Sequence, residues 1–120
     1  MIGRLRSVVV DTPDPRKLAE FYAEVLGATV VSDQPNWVAI ADKDGRRVAF
    51  QTAPEYQPPR FPDPHGSQQM HLDIAVDDVD KAEQQVLALG ATRVLDAEED
   101  DQFRVFRDPA GHTFCLLWGV

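Results

Sequence analysis

The sequence predicts an α+β fold built from two βαβββ modules, and three observations carry that prediction. The chain is written twice; each copy holds one amphipathic helix with its own start and stop residues; and three short strand-like runs joined at turn signals follow each helix. The segment "SVVVDTPDPRKLAEFYAEVLGATVV", from Ser7, aligns with "HLDIAVDDVDKAEQQVLALGATRVL", from His71. Ser7 precedes Asp14 by the same interval that separates His71 from Asp78, and both helical patterns close on "LGAT", at Leu26 to Thr29 and at Leu89 to Thr92.

In the first copy, Val8 to Val10 form a strand-like run. Leu18, Phe21, Tyr22, Val25 and Leu26 then recur at helical spacing, with Asp14 as N-cap, Pro15 at the first helical position and Gly27 as terminator. Strands follow at about residues 28–33, at "WVAIAD" and at "RRVAFQTA", the last two joined by "DKDG", whose Asp-Gly favours a hairpin. In the second copy Asp78 caps a helix that turns Val79, Ala82, Val86 and Leu89 inward and stops at Gly90. Its strands are expected at about 91–95, at "QFRVFRD" and, after the turn "DPAG", at "HTFCLLW". The repeats span about 3–53 and 68–119 of a single domain, and residues 54–67 join them. That linker contains "PEYQPPRFPDPHG", with five of the nine prolines, so it is a stiff spacer and not a central strand. Tyr56, Arg60 and Phe61 make it a candidate lip over a binding site.

Composition narrows the function. A net charge of −8 opposes the counterion release that drives nucleic-acid binding, so no nucleic-acid partner is expected, and the same field favours a cationic small molecule. The longest apolar runs, such as Val8-Val9-Val10, are far below bilayer length, so no membrane partner is expected either. One cysteine, Cys115, cannot form an intramolecular disulfide, and the N-terminus has no charged-then-apolar leader; a cytoplasmic protein is expected.

Strand alternation sorts the polar residues. Val8 and Val10 share one face and leave Ser7 and Val9 on the other; Leu72, Ile74 and Val76 leave His71, Asp73 and Ala75 opposite. Val48 and Phe50 leave Ala49 and Gln51, and Phe114 and Leu116 leave Thr113 and Cys115. Ser7, Gln51, His71, Asp73 and Cys115 thus form a candidate polar cluster, with Trp37 as an apolar wall.

The stretches "DTPDPRKLAEFYAEVLGATVV", "QMHLDIAVDDVDKA", "LALGATRV" and "FRDPAGHTFCLLWG" resemble the vicinal oxygen chelate superfamily, which includes glyoxalase I, extradiol dioxygenases, and fosfomycin- and bleomycin-resistance proteins. The resemblance spans essentially the whole chain and is nearest to small glyoxalase-like proteins. It implies a cup-shaped, incompletely closed mixed sheet with the helices outside, and a homodimer. It also implies metal-ligand positions on the first and last strands of each module, which fall here on Ser7, His71, Cys115 and Ala49, with Gln51 as an alternative to Ala49.

Among these, only His71 is a standard ligand at a standard position, so no metal site and no firm cofactor is assigned. A divalent ion held by His71, Cys115 and Asp73 is the minority alternative. It is disfavoured because residues two apart on a strand set their side-chain bases about 6.5–7 Å apart. Without a metal, His71 is expected to be satisfied by Gln51 or Ser7, or to contact a ligand, and Asp73 to pair with Arg47, Arg104 or a ligand. Cys115 reads as a small apolar filler in preference to a nucleophile activated by His71. His112 is expected to bond the turn backbone, and His65 to be solvated.

The functional expectation is a small organic ligand bound in the cup by Ser7, Trp37, Asp73 and Cys115. In an enzyme of lyase or isomerase type, His71 would act as base and Gln51 or Ser7 would polarise a substrate oxygen. Glyoxalase I activity is disfavoured because both last-strand positions lack the carboxylate that moves the proton. The alternative is a non-catalytic, antibiotic-sequestering binder of the bleomycin-resistance type.

Overall fold

A computed structural model describes every residue except 98, 100 and 101. The chain divides into two compact units, Met1–Tyr56 and Gln57–Val120.

The first unit runs β1 (Val8–Thr12), α1 (Pro15–Leu26), β2 (Thr29–Gln34), β3 (Trp37–Ala41) and β4 (Arg47–Thr52). Its sheet has the order β1-β4-β3-β2, with β1 parallel to β4 and the other pairs antiparallel. The helix starts where the sequence says it should: the Asp14 side chain accepts from Lys17 N at 3.1 Å, and Thr12 Oγ1 accepts from Asp14 N at 3.2 Å. It stops at Gly27, whose φ of +64° a side chain would resist. Leu18, Phe21 and Tyr22 are buried with Val38, Ile40 and Phe50 of the sheet, and the Tyr22 and Phe50 rings stack at 5.7 Å.

The second unit repeats the pattern as β5 (Leu72–Ala75), α2 (Val79–Ala88), β6 (Thr92–Arg93), β7 (Phe103–Arg107) and β8 (Thr113–Leu117). Its sheet order is β5-β8-β7-β6, again with the first strand parallel to the last. Asp78 caps α2 by accepting from Lys81 N at 3.1 Å. Phe106 and Phe114 stack at 5.5 Å and are fully buried with Leu116.

Two expectations need correcting here. The apolar stripe of α2 is thinner than the spacing suggests: Val86 is its buried residue, while Leu89 lies beyond the helix end, in the cap, and is exposed. Ion pairs supplement that packing, because Arg93 pairs with Glu83, and Arg104 Nη2 reaches Asp80 Oδ1 at 2.9 Å. Strand β6 is also shorter than the predicted 91–95, although Val94 N still donates to Val105 O at 3.0 Å.

The proline-rich linker forms no strand, as expected, and its Gln57–Ser67 portion belongs to the second unit. Arg107 holds it there. The guanidinium donates to Pro59 O at 2.9 Å, to Phe61 O at 2.7 Å and to Gly111 O at 2.6 Å. Phe61 then packs against Val94, Val105 and Cys115, on the sheet face away from α2.

Candidate functional site

The site is best built from strand register in the second unit. Parallel pairing sets Leu72 against Phe114 and Asp73 against Cys115, and antiparallel pairing sets Val105 against Cys115 and Phe103 against Leu117. Alternation then puts Asp73, Cys115, Val105, Phe103, Leu117 and Thr113 on one face, while Ile74, Phe114, Leu116 and Phe106 turn to the helix. His71, one residue before β5, shares the first face. The same register holds in the first unit, where Val8 is set against Val48 and Val9 against Ala49. Ser7 and His71 therefore occupy corresponding places, as do Ala49 and Cys115.

His71 Nε2 lies 3.0 Å from Asp73 Oδ1. The expectation that a spacing of two along the strand disfavours joint action of these side chains took account of their bases and not of their reach. Strand spacing sets where side chains leave the backbone, and here the imidazole and the carboxylate lean together across the intervening residue. Within the second unit Asp73 is a partner of His71. Of the arginines proposed for Asp73, Arg104 in the same unit is engaged with Asp80 and Glu83.

Cys115 is 7 % exposed and packs with Val94 and Val105, with Phe61, Phe103 and Leu117 at the margin of the cluster. Burial first, then the negative charges of Asp73 and Glu99, push its thiol up to about 11. A free thiolate nucleophile is therefore disfavoured for a definite reason: the field around the sulfur opposes loss of its proton. The side-chain donor atoms of His71, Asp73 and Cys115 all lie within 4.8 Å of one another.

In the first unit Gln51 Nε2 donates to Asp11 Oδ1 at 2.8 Å, and Trp37 is the register partner of Gln51 across β3 and β4. Ser7 sits half-buried just ahead of β1. The structure thus brings His71, Asp73 and Cys115 together, and groups Gln51 with Trp37. Sequence reasoning missed Asp11, although it shares the parity of Ser7 and Val9. It also missed Thr113 as a site residue: its Oγ1 is buried with no hydrogen-bond partner, on the same face as Cys115. His112 lies at the turn, where its N–H donates to Asp108 Oδ1 at 3.0 Å.

The four ligand positions implied by the resemblance do not fit an oxygen-binding divalent ion. Ala49 has no donor atom and is fully buried, and Ser7 is a weak neutral one.

A sequence model of the Glyoxalase-like domain matches residues 7–117. The chain belongs to the glyoxalase-like domain family. Its structural neighbours come from the wider glyoxalase, bleomycin-resistance and dioxygenase group, the vicinal oxygen chelate superfamily. A glyoxalase/bleomycin resistance protein/dioxygenase family enzyme from Burkholderia phytofirmans is 20 % identical, with a TM-score of 0.75 over 98 % of this chain and 100 % of that one. The fosfomycin resistance protein FosX from Listeria monocytogenes is 17 % identical, with a TM-score of 0.73 over 100 % of this chain and 96 % of that one. A possible glyoxalase from Bacillus cereus is 16 % identical, with a TM-score of 0.69 over 98 % and 99 %. Such low identities establish the shared α+β glyoxalase-like fold of two βαβββ modules and leave the chemistry to the residues. No curated protein matches the chain. Among the described residues, no helix is long and apolar enough to cross a membrane.

Proposed function

We propose that this glyoxalase-like protein binds a small organic ligand on the His71 face of its second module and transfers a proton to or from it. The observation that carries this reading is the contact of 3.0 Å between His71 Nε2 and Asp73 Oδ1, beside an apolar cluster formed by Val105, Phe103, Leu117 and Phe61. A hydrophobic surface with a few convergent polar groups is the usual composition of a small-molecule site. Asp73 accepts from the Nε2 proton and so fixes the ring and its tautomer, which leaves Nδ1 as the basic nitrogen. The reaction class that follows is lyase or isomerase chemistry with His71 as base.

The sequestering alternative is favoured by one observation of its own: Asp73 is 56 % exposed and adds to an overall charge of −8, which suits a cationic ligand that is held and not turned over. A thermal-shift screen of chelator-treated protein against small cationic and hydroxylated compounds tests both readings. A ligand at 100 times its Kd should stabilise the protein by about 2.7 kcal/mol, and His71→Asn and Asp73→Asn should abolish the shift. Deuterium exchange into the bound compound separates proton transfer from simple retention. If no compound stabilises the protein, or if hits are indifferent to both substitutions, the reading fails.

A further inference from the structure

We infer that Arg107 and Thr113 build a carboxylate subsite at one end of the His71 face, and that the linker fills it with its own backbone carbonyls until a ligand displaces them. The inference rests on the function proposed above, because it assigns a ligand class to the same face. Register sets the residues in one row. Arg107 is the partner of Thr113 across β7 and β8, and one step back from the parallel pairing of Leu72 with Phe114 puts His71 beside Thr113. Residues directly opposed on neighbouring strands share a face, and strands lie about 4.8 Å apart. The base of Arg107 is therefore roughly 10 Å from that of His71, with Thr113 between them.

The partners of Arg107 point to an anion. Its guanidinium donates to three neutral acceptors, Pro59 O, Phe61 O and Gly111 O, and pairs with no carboxylate among the described residues. Arg93 and Arg104 in the same unit each hold two carboxylates. The planar fork of Arg107 matches the two oxygens of a carboxylate, which adds a charge pairing that a carbonyl lacks. Thr113 is the second, independent mark. It is 3 % exposed, and its Oγ1 is buried without a hydrogen-bond partner on the residue opposite Arg107. A carboxylate seated on Arg107 gives that hydroxyl an acceptor. The linker closes this corner: Phe61 packs on Val94, Val105 and Cys115, and Pro58 approaches Gly111 closely enough to exclude a Cβ there. Two of the three carbonyls on Arg107 thus belong to the linker, and their exchange for a carboxylate frees Phe61 and opens the apolar ground beneath it. The ligand so defined is a small organic acid with an apolar body, its carboxylate on Arg107 and its other end toward His71. The net charge of −8 does not oppose it, because charges beyond about 8 Å are largely screened at physiological salt while the guanidinium touches the bound group directly.

Phenylacetate, with phenylacetamide as its neutral counterpart, tests the subsite in the full chain. Nitrogen-15 NMR of the Arg107 side chain follows binding, and trypsin cleavage after the exposed Arg60 follows release of the linker, with a synthetic peptide as control for the protease. Phenylacetate should shift the Arg107 signals and speed cleavage after Arg60; phenylacetamide should do neither. Phe61→Ala removes the linker's apolar anchor and should tighten phenylacetate binding about threefold, because a larger share of molecules is already open. Arg107→Met should weaken binding at least about tenfold, and Arg107→Lys, which keeps the charge and loses the fork, should weaken it less. Circular dichroism controls for folding of each variant, and Arg46→Met in the first unit should leave binding unchanged. Arg107 signals and cleavage that ignore phenylacetate, an equal response to the amide, or no gain of affinity in Phe61→Ala would overturn the inference and reduce Arg107 to a clamp. The two readings fail separately. A stabilising ligand that depends on His71 and Asp73 but not on Arg107 counts against the subsite alone, whereas phenylacetate held by Arg107 without any change in the His71 ring signals supports the subsite and counts against the proposed function.

Discussion

Asp73 is the register partner of Cys115 on adjacent parallel strands, and its negative charge adds to burial in opposing ionisation of the sulfur. The same carboxylate lies 3.0 Å from His71 Nε2. Replacing Asp73 by Asn should lower the Cys115 pKa from about 11, although not fully to its ordinary 9.0, because burial is the larger cause and persists. Thiolate absorbance followed against pH in the two proteins measures the shift; identical titrations would remove Asp73 from the account.

The raised thiol pKa also makes stability depend on pH. The folded state keeps its proton to a higher pH than the unfolded chain, so the contribution is fully present below pH 9 and is lost as pH rises through about 11. Solvent around the half-exposed Asp73 screens its share. A loss on the order of 1–2 kcal/mol is expected, against roughly 1.4 kcal/mol per pKa unit without screening. Urea denaturation at intervals across that window should show the decline in the native protein and a flatter profile in Cys115→Ala.

Arg107 is the clamp that keeps the linker on the second module. Arg107→Met removes three hydrogen bonds from a charged donor and should cost about 2–3 kcal/mol. Its local signature is sharper. Trypsin should cut after the exposed Arg60 faster than in the native protein, and an unchanged cleavage rate would show that the linker is held by other contacts.

Gly111 serves the same junction from the turn before β8. Its φ is +90°, and a Cβ there would meet Pro58 Cβ at 2.8 Å. Gly111→Ala should destabilise the protein by about 1–3 kcal/mol, through both the strained backbone and the displaced linker. The denaturation midpoint reads this directly, and Gly45→Ala, which meets no atom within 4 Å, isolates the conformational part.

Much of the fold was legible because the chain repeats itself. Asp14 and Asp78 cap their helices as their positions require, and the alternation of Phe114, Cys115 and Leu116 sorted the faces of β8 correctly. The less legible parts depend on side-chain reach and on contacts distant in sequence. Leu89 fits the helical period yet lies past the helix end, and no pattern of spacing reveals which way a cap residue turns. His71 and Asp73 were placed on one face, but their contact depends on rotamers that strand periodicity does not encode. The role of Arg107 follows from carbonyls of Pro59 and Phe61, which lie more than forty residues away in the chain.

The most direct test of the His71–Asp73–Cys115 cluster is nitrogen-15 NMR of the His71 ring in metal-free protein, recorded at about pH 8.5, where an ordinary imidazole is neutral. The contact with Asp73 predicts a proton on Nε2, slow to exchange, and loss of that protection in Asp73→Asn. A proton on Nδ1, or a ring signal that ignores the Asp73 substitution, would contradict it.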